Sequence, residues 1–70
     1  MIETPLHSSV LAGFSYDPGR RQLWLRFRSG DLYVYQTVPA TVAQALINAP
    51  SQGRYFNSAI RGRFSCFRLS

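Results

Sequence analysis

From Gln22 to Gln36 apolar and polar side chains alternate with a period of two, interrupted only around Ser29-Gly30. Leu23, Leu25 and Phe27 fall on one side of the first run, with Trp24, Arg26 and Arg28 on the other, which is the spacing of a β-strand half buried in a sheet. Leu32 to Gln36 resumes the pattern. Two such runs joined by a Gly-containing turn predict a β-hairpin, and a two-residue Ser29-Gly30 loop fixes its register. Arg28 then lies opposite Asp31, Phe27 opposite Leu32, Arg26 opposite Tyr33, Leu25 opposite Val34 and Trp24 opposite Tyr35. Directly opposed residues share a face. One face would carry Leu23, Leu25, Phe27, Leu32 and Val34, and the other Trp24, Tyr33, Tyr35, Arg26 and Arg28 with Asp31.

The purely apolar face needs a second layer, and the rest of the chain can supply it. Val10 to Tyr16 reads as a preceding strand, and Asp17-Pro18-Gly19-Arg20 as a turn, with Gly19 tolerating a positive φ. At Pro39 the pattern changes. A proline at the first helical position is preorganised, and Val42, Ala45, Leu46 and Ala49 recur at helical spacing until Pro50 stops the run. Ser51 can cap a second short helix with Phe56, Ala59 and Ile60 on one stripe, and Gly62 offers a left-handed exit. The tail from Arg63 to Leu69 is either a fourth edge strand or irregular. The expected fold is α+β: a three-stranded antiparallel β-meander packed against two short helices, with a possible short C-terminal strand. Seventy residues, 46% hydrophobic and 16% charged, suit one domain over residues 1–70 and no disordered tail.

Eight basic residues, all arginine, face only Glu3, Asp17 and Asp31, for a net charge of +5. Such a surplus attracts polyanions. The single cysteine, Cys66, allows no internal disulfide, and no run of residues reaches the ~18 apolar positions of a membrane span. A soluble protein in a reducing cytoplasm is expected. Rings beside guanidinium groups on an open sheet suit single-stranded nucleic acid, because rings stack on bases while arginines neutralise phosphate. The competing reading is structural cover: the tail, through Phe64 and Phe67, or a second copy of the chain would seal those rings.

Other candidate sites are weaker. Ser51 to Arg61 reads either as a phosphate grip, with Gly53 admitting an anion and Arg54 and Arg61 flanking it, or as a plain helix connection. His7, Ser8, Ser9 and Asp17 include the residue types of a hydrolytic triad but no nucleophile elbow. One histidine, one cysteine and scattered carboxylates do not compose a usual zinc site. No enzyme activity, cofactor or metal is expected.

Taken in order, His7-Ser8-Ser9, Gly13, Tyr16-Asp17-Pro18, Leu23 to Phe27, Ser29-Gly30, Tyr33-Val34-Tyr35, Val38-Pro39 and Ser51-Gln52-Gly53-Arg54-Tyr55-Phe56-Asn57 leading to Ile60-Arg61 resemble the KTSC domain family. The resemblance runs from about residue 7 to residue 64. That family is named for the C-terminal appendage of some bacterial lysyl-tRNA synthetases and also includes stand-alone bacterial proteins of about this length. The resemblance implies RNA binding as a proposed role and carries over Tyr33, Tyr35, Gly53, Tyr55, Asn57 and Arg61. The combined expectation is a non-catalytic RNA-binding module. Phosphate would meet Arg26, Arg28, Arg54, Arg61 and Arg63, and bases would stack on Tyr33, Tyr35 and Trp24, with Tyr55 and Asn57 in the same surface. The alternative is a protein-interaction or homodimerisation module that uses the same aromatic face.

Overall fold

The computed structural model describes residues 3–70. Five strands, β1 (Thr4–Pro5), β2 (Leu11–Asp17), β3 (Gln22–Phe27), β4 (Leu32–Tyr35) and β5 (Cys66–Arg68), form one antiparallel sheet in sequence order. Between β4 and β5 the chain makes α1 (Ala40–Asn48) and α2 (Gln52–Tyr55), and α2 runs directly into a π-helical turn, Phe56–Ile60. The α+β class and the two short helices agree with the sequence. The three-stranded meander is extended at both edges, by β1 and by β5, which settles the tail as a strand. Among the described residues no helix is long and apolar enough to cross a membrane.

Local signals placed most boundaries. Pro39 immediately precedes α1, as its N-cap residue rather than its first helical residue. Ser51 caps α2 by accepting the Arg54 N–H at 3.3 Å. Gly62 takes a φ of 73° just after the π-helical turn. In the β2–β3 turn the Asp17 carboxylate accepts the N–H groups of Gly19 and Arg20, but the left-handed residue is Arg21, at φ 54°, and not Gly19.

The β3–β4 hairpin corrects the expected register. Phe27 donates its N–H to the Asp31 carbonyl, and Gly30 donates to the Phe27 carbonyl, both at 2.9 Å. The loop is therefore Arg28-Ser29-Gly30, not Ser29-Gly30, and the pairs are Leu23 with Tyr35, Trp24 with Val34, Leu25 with Tyr33 and Arg26 with Leu32. A two-residue type I′ loop needs positive φ at both central positions, which Ser29 would adopt only with strain. The longer loop asks for it only at Gly30, at φ 98°. Because side chains alternate strictly, this one-residue slip turns every residue of β4 to the opposite face.

Tyr33 and Tyr35 consequently share the helix-covered face with Leu23 and Leu25, and Leu32 and Val34 share the outer face with Trp24 and Arg26. The core joins Leu11, Phe14, Leu23, Leu25 and Tyr35 of the sheet to Val38, Ala43, Leu46, Phe56 and Ile60 of the helical layer. On the outer face Val34 is only 1% exposed, flanked in register by Trp24 and by Phe67 of β5. That face is aliphatic and aromatic together, so the single surface of three rings and two arginines expected from the two-residue loop does not form.

Candidate nucleic-acid interface

The slip that dismantles one surface assembles another. Tyr33 and Tyr35 now point towards the helical layer, where Phe56 opens the π-helical turn. Three edge-to-face contacts run through Tyr33, Phe27, Phe56 and Tyr35, with ring centroids 5.6, 5.4 and 5.8 Å apart in that order. Rings prefer this geometry because a positive edge meets a negative face. They line a cleft of about 550 Å³ between the hairpin end of the sheet and the π-helical turn. Tyr35 and Phe56 are buried at its base, Phe27 and Tyr33 are partly buried, and Asn57, Arg61, Gly62 and Cys66 surround it at the surface.

The π-helical turn sets the polar side of the cleft. Arg61 donates its N–H to the Phe56 carbonyl five residues back, at 2.9 Å. The wider turn moves the side chains after it out of α-helical phase, and such turns recur at functional sites. The Arg61 guanidinium reaches the Asn57 side-chain oxygen at 3.5 Å, and no ion pair to Arg61 is found among the described residues. Asp31, also in the cleft, is held by the Ser29 hydroxyl and by Arg68 at 3.2 Å. Burial, and after it the neighbouring Cys66 thiol, pushes the Tyr35 phenol up to about 12, so it stays protonated at neutral pH.

Of the residues expected to contact nucleic acid, Tyr33, Tyr35, Asn57 and Arg61 converge here. Arg54 and Arg63 are exposed, and Arg63 follows Gly62 of the cleft directly. Trp24 and Arg26 lie on the other side of the sheet. The Arg26 guanidinium bonds Glu3 at 3.1 Å and the Gly30 carbonyl at 3.2 Å. Arg28 is committed to the fold, because its fork grips the carbonyls of Leu6 and Ser8, each at 2.9 Å, and ties the N-terminal segment to the hairpin. Tyr55 packs half buried against the core.

At the Ser51 to Arg61 segment, the Ser51 hydroxyl is bonded within its own helix, as the cap of α2. A Cβ at Gly53 would make only ordinary contacts, 3.4 Å from Val10 and 3.5 Å from the Ser8 hydroxyl, so crowding does not demand glycine there. Sequence reading grouped Asp31 with the tyrosines but missed Phe27, Phe56 and Cys66 as their neighbours. Cys66 pairs with Tyr35 only through β5, a contact that no local pattern announces.

Comparison with known proteins places this geometry. The family model described as the KTSC domain matches residues 7–64. A lysine–tRNA ligase of Nostoc sp. is 44% identical over 62 residues, which cover 89% of this chain but only 11% of the ligase. The chain thus corresponds to about a tenth of that relative. An uncharacterised protein of Stutzerimonas stutzeri is 44% identical over 61 residues, covering 87% of this chain and 86% of its own. The crystal structure of a KTSC domain protein from Yersinia pestis superposes with a TM-score of 0.96 at 35% identity, covering 99% of this chain and 97% of that one.

Proposed function

Since the chain belongs to the KTSC domain family, we propose that it acts as a non-catalytic module that binds single-stranded nucleic acid, RNA ahead of DNA. The observation that carries this reading is the cleft, where partly buried aromatic rings adjoin an arginine with no carboxylate partner among the described residues. Rings offer a sequence-tolerant stacking surface, and guanidinium groups neutralise phosphate in a planar, bidentate way. The net charge of +5 draws a polyanion towards it. The preference for RNA is supported by the relatives named lysine–tRNA ligase, whose name includes an RNA. A lone, unpaired Cys66 suits a reducing cytoplasm.

The test is a titration of a labelled single-stranded RNA, followed by anisotropy at low and at physiological salt, beside DNA of the same sequence. Binding that weakens with salt and favours RNA is expected. The emission of Trp24, the only tryptophan, should stay nearly constant, because its indole faces away from the cleft. No binding at millimolar sites in low salt would defeat the proposal.

A second reading rests on the outer face. Phe67 and Leu69 are 48% and 45% exposed there or beside it, next to Val34 and Leu32, and such a patch suits association with a second copy or another protein. Sedimentation decides this: a dimer dissolved by Phe67→Ser would favour association, and a monomer until RNA is added would favour the first reading.

A further inference from the structure

We infer that the cleft between the β3–β4 hairpin and the π-helical turn is a subsite for one unstacked base of the bound strand, with Arg61 holding the phosphate beside it. This rests on the nucleic-acid reading above and adds to it the part of the ligand that enters. About 550 Å³ lies within the range of sites for small organic ligands and is far too small for a duplex. The interior selects for a flat, apolar-faced group, since Phe27 and Tyr33 present ring surface and Phe56 and Tyr35 close the base.

The charges divide the ligand in the same way. Asp31 lines the cleft with one carboxylate oxygen paired to Arg68 and the other accepting from the Ser29 hydroxyl, and the lone pairs left over can accept from a base edge with N–H groups. Arg61 and the following Arg63 are exposed, and Asn57 steadies Arg61 in front of the cleft. The ring therefore enters and the phosphate stays out, which is how single strands are read when bases are splayed from their stack.

Cys66 gives a direct probe, because it is exposed, lines the cleft and is the only cysteine. Alkylation with N-ethylmaleimide adds bulk there without changing the net charge. The ligands are a labelled oligoadenylate and a ribose-phosphate oligomer of the same length with no bases. Alkylated protein should bind oligoadenylate about tenfold more weakly, roughly the effect of losing one stacked base. Cys66→Ser protein should bind alike before and after the same treatment. The oligomer without bases should bind the intact, unmodified protein about tenfold more weakly than oligoadenylate, and alkylation should not weaken it further.

If both oligomers bind alike, or alkylation leaves oligoadenylate binding unchanged while binding remains salt-dependent, the subsite is wrong and the nucleic-acid reading survives. If neither oligomer binds at low salt, the nucleic-acid reading fails and the subsite with it.

Discussion

Gly30 holds a φ of 98° with nothing within 4 Å of where a Cβ would sit, so backbone conformation, and not crowding, demands glycine there. Gly30→Ala should lower stability by about 1–2 kcal/mol, the cost of a left-handed residue with a side chain. A thermal melt would show it as a drop of several degrees for a domain of this size; an unchanged midpoint would mean the turn can rearrange at no cost. Tyr35 makes a separate prediction from its pKa. Its phenol ionises near 10 when unfolded and near 12 when folded. The folded state holds that proton more tightly, so the stability tied to it is complete below about pH 10 and is lost as pH rises towards about 12. Tyr35→Phe keeps the ring against Phe56 and should flatten this alkaline decline in denaturant midpoint relative to the wild type. An identical decline in both proteins would assign it to other groups. Residues whose role is set within one turn of chain were legible from sequence, as Ser51 and Gly62 were. The facing of Tyr33 and Tyr35 was not, because it hangs on whether Ser29 or Gly30 alone takes positive φ, a choice of about 1 kcal/mol that alternation cannot reveal.

At the level of elements, the hairpin loop acts as a parity switch for β4. With Arg28-Ser29-Gly30 in the loop, Tyr35 is 5% exposed in the core and Val34 lies on the outer face. Deleting Ser29 and placing asparagine at Arg28 would create an Asn-Gly two-residue turn, the strongest hairpin signal known. Phe27 would still lie opposite Asp31, so the turn and the core demand the same register and Tyr35 keeps Phe56 as its ring partner. The variant should keep cooperative unfolding and a dispersed amide spectrum, at a midpoint lowered by the lost Arg28 bonds to the Leu6 and Ser8 carbonyls; loss of the folded spectrum would show that β4 needs the third loop residue to hold its register. The helices and β2 were readable because proline stops, caps and periodicity are written locally. β1 and β5 were harder, since two- and three-residue strands exist only by pairing with Phe14 and Gly13 or with Tyr33, Val34 and Tyr35. The π-helical turn has no sequence pattern of its own, which is why the cleft beside it could be named only through Asn57 and Arg61 singly.

Across the whole molecule the same net charge of +5 can act as a diffuse attraction or as a directed one, and the positions of the free arginines separate these cases. Arg20 and Arg21 are exposed in the β2–β3 turn, at the end of β3 away from the hairpin, while Arg61 and Arg63 are exposed at the cleft. Replacing either pair by glutamine removes two charges, so a diffuse field would weaken RNA binding similarly in both variants. If phosphates are held at the cleft, only the second pair releases counterions on binding. Each phosphate neutralised on a single strand contributes a slope of about −0.7 in log affinity against log salt. The Arg61→Gln, Arg63→Gln protein should therefore show a slope shallower by about 1.4, the value for two phosphate contacts, over roughly 50 to 200 mM salt. The Arg20→Gln, Arg21→Gln protein should keep the wild-type slope and lose only a little affinity through long-range steering, which salt screens within about 10 Å at 0.1 M. Equal losses of slope in the two variants would place the anion on no particular face and leave the aromatic cleft without a role in binding.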